Sequence, residues 1–96
     1  MKWYANFKNH LRQRHRTKQV IRAVTVSSRR LFPDTVPDWS LIAEDRPQEC
    51  VVYQTYRPVG SSPALLLHRF FRVKLEDFSV TPLAPDYRPE KWDFFL

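Results

Sequence analysis

Hydrophobic and polar positions follow three rhythms along this chain, and each predicts a different element. Over residues 2–25 the apolar residues fall at helical spacing, but only at the two ends. Trp3, Phe7 and Leu11 lead, Val20, Ile21 and Val24 follow, and the turns between them are polar. The stretch contains no Gly or Pro, and Ala, Leu, Lys, Arg and Gln dominate its middle, so it reads as a helix. Such a helix cannot pack on a protein core along its whole length. It is pinned at both ends while its centre faces solvent or phosphate. Ser27-Ser28-Arg29-Arg30 marks its end.

Strict alternation takes over at residues 49–57, where Val51, Tyr53 and Thr55 alternate with Val52, Gln54 and Tyr56. Most positions are β-branched or aromatic, which makes this the best strand in the sequence. The third rhythm is ambiguous. Ser62 before Pro63 is an N-cap followed by a first-turn proline, and Leu66, Leu67, Phe70, Phe71 and Phe78 follow at spacings near three and four. That favours a helix over 64–77. The same stretch also fits a strand, because Leu65, Leu67, Phe71, Val73 and Leu75 share one parity, and it would then form a hairpin with 49–57.

Between these elements, Pro33 to Pro47 reads as loop, with Asp34, Pro37 and Asp38 as turn residues and one short helical turn from Asp38 to Ala43. After Ser79, the prolines at 82, 85 and 89 and the closing cluster Trp92, Phe94, Phe95 and Leu96 describe an extended strap with an apolar, protein-docking end. The expected organisation is therefore a basic N-terminal arm (1–32), a Pro-rich loop (33–48), a small αβ or hairpin core (49–80) and a C-terminal strap (81–96). The fold class is α+β, in a small accessory chain.

Composition adds one bound. At 96 residues there is room for one small domain with a modest core, yet hydrophobic residues make up 43% and aromatics 15%, too many for a solvated tail. The expectation is a subunit that completes its packing against something else. One glycine against eight prolines favours a chain laid along a surface in a set path.

Charge changes the picture most. The first 32 residues hold nine of the sixteen basic residues and no acid, while the rest holds seven bases against ten acids. A split this sharp points to a polyanion partner for the basic part. Arg12, Arg14, Arg16 and Arg22, with Lys8 and Lys18, are distributed around the helix, and Arg29 and Arg30 close it. These eight are the expected RNA-binding residues, because guanidinium forks and ammonium groups neutralise phosphates in rows. The Arg-rich, acid-free N-terminus also has the composition of a mitochondrial import signal, although it is poor in serine.

No chemistry of turnover is expected. Asp34/Asp38 and Glu44/Asp45 are carboxylate pairs without a neighbouring His or Lys cluster, and Ser61-Ser62 lacks the setting of a catalytic serine. A Cys50–His68 couple is conceivable on paper, but Cys50 sits in a strand and reads as an inert thiol. His10 and His15 are five apart, the wrong spacing for a metal on a helix, and one cysteine builds neither a disulfide nor a thiolate cluster. No cofactor and no metal are expected, and no apolar run is long enough to span a membrane.

Together these features describe a structural accessory subunit of a large assembly. The first expectation is a small mitochondrial ribosomal protein on the matrix side, with its arm in ribosomal RNA and the rest docked on neighbouring protein subunits. The rivals are an accessory subunit of a respiratory-chain or ATP synthase complex, where the arm meets acidic protein or anionic lipid, and a free-standing nucleic-acid-binding protein, for instance viral.

Overall fold

A computed structural model of the chain describes residues 2–62 and 64–89, with side chains from Arg16 onward. One helix, α1 (Lys2–Leu31), is followed by four strands: β1 (Thr35–Asp45), β2 (Glu49–Pro58), β3 (Leu67–Lys74) and β4 (Val80–Pro82). The strands form one antiparallel sheet in the order β1-β2-β3-β4, each pairing with its neighbour in sequence. This is the α+β class that the sequence predicts.

The C-terminal half of α1 covers one face of the sheet. Val20 and Val24, one turn apart, pack against Cys50 and Val52 of β2 and Phe71 and Val73 of β3, all fully buried. The apolar stripe Val20-Ile21-Val24 thus contacts the core as its spacing predicts. The opposite face has its own smaller cluster, in which Ala43, Val51 and Phe70 are joined by Tyr53 of β2 and by Leu83 and Tyr87 from the segment after β4.

A polar network lies under the end of α1. Gln54, fully buried, donates to the hydroxyls of Ser28 and Ser40 at 3.3 Å each and accepts from Arg69 Nε at 2.9 Å. Arg69 also donates to Thr35 at 3.2 Å. Its guanidinium carbon lies 3.9 Å from the ring centre of Tyr56 and 4.4 Å from that of Phe32. The helix and β1, β2 and β3 are all tied by this one set of side chains. Burial holds the Arg69 guanidinium below its ordinary pKa.

Two sequence expectations are corrected here. The stretch 33–48 is not a Pro-rich loop, nor does Asp38–Ala43 form a helical turn, because β1 occupies Thr35–Asp45. Its proline is tolerated because β1 is an edge strand. The favoured helix over 64–77 is also wrong, and the hairpin alternative is right: β3 pairs with β2 from Glu49↔Lys74 to Tyr56↔Leu67. The misleading signal was the pair Phe70-Phe71. Each buries on a different face of a strand covered on both sides, and two consecutive apolar residues then mimic helical spacing. The Ser62 cap bond does form, from Ala64 N–H at 3.2 Å, but it closes only a turn. The hairpin itself turns at Pro58–Ser61 with Gly60 at φ +79°, the left-handed position such a turn requires.

Candidate nucleic-acid interface

Helix geometry sorts the cations of α1 by what they face. At about 100° per residue, Lys18, Arg22 and Arg29 fall within about 40° of one another around the axis and about 140° from Val24. All three are exposed on the outer side of the helix, and they span a rise of about 16 Å. Arg30 is exposed as well, on the flank that faces β4. There an open groove of about 570 Å³ runs between α1 and the turn before β4, with Arg22 and Arg30 along it and the hydroxyl-bearing Ser27 and Ser79 on its sides.

Phe78, also on this groove, packs against the core beneath it. The turn holds Phe78 at φ +56°, and Ser79 N–H donates to the Asp77 carboxylate at 3.0 Å. That bond, with the Ser79 hydroxyl and nearby Lys74 acting in the same direction, holds Asp77 below its usual pKa.

None of Lys18, Arg22, Arg29 and Arg30 takes part in an ion pair among the described residues. Three acids are engaged elsewhere. Asp45 holds Arg16, Glu44 holds Arg46 at 3.2 Å, and Glu49 holds Arg72 at 3.5 Å. The arrangement is a row of exposed cations without ion pairs among the described residues, which can lower the free energy of a phosphate chain laid along it.

Of the eight residues expected to bind RNA, the structure brings Lys18, Arg22, Arg29 and Arg30 to one exposed surface. Arg16 is withdrawn from it by its pairing with Asp45. Lys8, Arg12 and Arg14 lie on the backbone of α1, with side chains outside the described residues, as do those of His10 and His15. The docking residues Trp92, Phe94, Phe95 and Leu96 also lie outside the described residues.

The catalytic alternatives find no geometry among the described residues. Cys50 points to the helix-covered face at the Val73 end of the hairpin, whereas His68 lies on the other face opposite Thr55, so the two are not a couple. The Cys50 thiol donates to Asp45 at 3.4 Å, and burial, then the Asp45 carboxylate, push its pKa up to about 12. Glu44 is spent on Arg46 and on the Tyr87 hydroxyl, which donates to it at 2.6 Å. Burial first, and then Glu44, push Tyr87 up to about 12. Among the described residues no cluster of His, Cys, Asp and Glu has the makings of a metal site, and no helix is long and apolar enough to cross a membrane.

Sequence reasoning missed one group entirely, the rings on the face away from α1. Trp39 of β1, Tyr53 of β2 and His68 of β3 lie side by side, with ring centres 5.6 Å apart for the first pair and 5.7 Å for the second. The missing signal is a bulge in β1 between Pro37 and Trp39, which shifts the register so that Trp39 opposes Thr55. Simple alternation from Pro37 would have sent Trp39 toward the helix. The Thr55 hydroxyl pins the bulge, accepting from Trp39 N–H at 3.3 Å and donating to Trp39 C=O at 3.4 Å. Compared with protein families, curated proteins and solved structures, the chain matches none.

Proposed function

We propose that this chain is a structural, RNA-binding accessory subunit of a large ribonucleoprotein, and more specifically a small mitochondrial ribosomal protein. The observation that carries the reading is the outer row of Lys18, Arg22 and Arg29 with Arg30 beside it, exposed and without an ion pair among the described residues, in a chain whose first 32 residues contain no acid. A solvated charge face needs no such segregation, since interspersed acids keep a helix soluble at lower self-repulsion. Cations in a row neutralise successive phosphates of a backbone without reading its sequence.

A second feature supports membership of an assembly. Val36, Val59, Leu65, Leu66 and Leu67 are 38–63% exposed and gather around one end of the sheet, at the start of β1 and in the β2–β3 connection. That end is where a neighbouring subunit abuts. The mitochondrial assignment rests on the Arg-rich, acid-free N-terminal composition. The role is to offset phosphate repulsion and to tie RNA to protein, with no turnover chemistry.

The test is sedimentation of the tagged chain from its own cells through a sucrose gradient. Co-migration with a ribosomal subunit and its RNA, abolished by nuclease, is the expected result. Migration with a complex carrying haem or flavin absorbance, and no RNA, would replace this reading with that of a respiratory-complex subunit.

A further inference from the structure

We infer that the groove between α1 and the turn before β4 seats an unpaired nucleotide of the bound RNA, with its phosphate at Arg30 and its base over Val26. The inference rests on the RNA-binding reading above and adds to it the form of RNA that is bound.

Val26 sets this groove apart from the outer row. It is 60% exposed, two residues past the fully buried Val24 and so about 160° around the helix from it. The core makes no use of it. With Phe78 and Val80 on the far side it makes part of the groove apolar, beside Arg22 and Arg30. A purely electrostatic track for phosphates needs no apolar wall.

Charge narrows the choice of ligand. No acid is among the residues that line the groove. Glu76 and Asp77, in the adjoining turn, are both exposed. Glu76 lines a separate open pocket with Lys74 and Arg46, and the Asp77 carboxylate accepts the Ser79 N–H at 3.0 Å. Neither Arg22 nor Arg30 forms an ion pair among the described residues. The groove therefore suits a ligand that is anionic at one point and flat or apolar at another. A duplex does not fit that description, because its phosphates face outward and both faces of each base are stacked. An unpaired nucleotide does. Arg22 belongs to the outer row and to the groove, and so marks where the strand passes from one to the other. That continuity favours a polymer of phosphates over a single lipid head group.

Arg29 and Arg30 supply the internal comparison, being adjacent and both exposed while only Arg30 lines the groove. Wild type, Arg29→Gln, Arg30→Gln, Val26→Ser and Val26→Leu are compared by fluorescence anisotropy on a labelled unstructured RNA of about 12 nucleotides and on a duplex of equal length. Co-sedimentation with phosphatidylcholine–phosphatidylserine vesicles is the third arm. Each phosphate contact contributes about fivefold in affinity at about 0.1 M salt, so Arg29→Gln should lose about that much on both RNAs. Arg30→Gln should lose about fivefold or more on the single strand and less than about twofold on the duplex. Val26→Ser should lose about three- to fivefold on the single strand alone, and Val26→Leu should match wild type within about twofold. Equal losses on the two RNAs for Arg30→Gln, as for Arg29→Gln, overturn the groove and leave the outer row standing. So does a Val26→Ser chain with wild-type single-strand affinity, or one weakened equally on both RNAs. Wild-type chain that binds neither RNA, whether or not it binds the vesicles, overturns both this inference and the function it rests on.

Discussion

Replacing Gln54 by leucine removes three hydrogen bonds at once, from Ser28, Ser40 and Arg69, at a site with no access to water. Two of them are neutral pairs worth about 1 kcal/mol each, and the third involves a guanidinium and is worth about 1.5–3 kcal/mol. Leucine's added apolar burial offsets about 1 kcal/mol. The net cost is therefore about 2.5–4 kcal/mol, much of it because Arg69 Nε–H is left without an acceptor. A chain of this size has about 5–14 kcal/mol in total. Urea unfolding followed by far-ultraviolet dichroism should show a midpoint lower by about 1–3 M, given slopes typical of small domains. Arg69→Met alone should also destabilise, through the lost stacking on Phe32 and Tyr56. The double variant should be less destabilised than the two singles added together, by about 1–3 kcal/mol, since removing both partners leaves no orphan. Strict additivity would refute the claim that Gln54 and Arg69 act as one unit joining the helix to the sheet.

Two further outcomes follow from the buried titrating groups. Tyr87→Phe removes the donor to the buried Glu44 carboxylate and should cost about 2 kcal/mol in the same urea assay; an unchanged midpoint would dismiss that bond as a contributor. Cys50 holds its proton up to about pH 12 when folded but loses it near pH 9.0 when unfolded, so the unfolded chain binds fewer protons between those values. Its stabilising contribution is complete below pH 9 and lost as pH rises toward 12. Native chain should accordingly resist alkylation at pH 9, and the midpoint of Cys50→Ala should fall less steeply than wild type above that pH. Rapid native labelling would contradict the burial of the thiol.

What was legible in the sequence divides along a physical line. Features set by a single period came through: the Val20-Ile21-Val24 stripe, the β2 alternation and the crowding of cations before residue 32. Features set by two competing surfaces did not. Phe70 and Phe71 face different clusters, and only the sheet's two-sided burial explains why the run is a strand. Edge placement explains how β1 accommodates Pro37, where a proline seen in isolation signals loop. The candidate site was half legible. Charge along the chain identified the cationic helix, but separating Arg16 from Lys18 and Arg22 needed Asp45, 29 residues away and reached only through the fold. The aromatic row was invisible, because a bulge reverses the parity on which reading a strand depends.

On the proposed function, the outer row of α1 neutralises phosphates. The salt dependence of RNA affinity decides whether it does. For a single strand each neutralised phosphate contributes a log–log slope of about −0.7. Changing Lys18, Arg22, Arg29 and Arg30 together to Gln should therefore flatten the slope by about 2.8. That removes about a 50-fold loss of affinity over a fourfold rise in salt. Arg16→Gln, already committed to Asp45, should change the slope by less than about 0.7. A fourfold-Gln chain with the wild-type slope, or an Arg16→Gln effect equal to that of Arg22→Gln, would contradict the account.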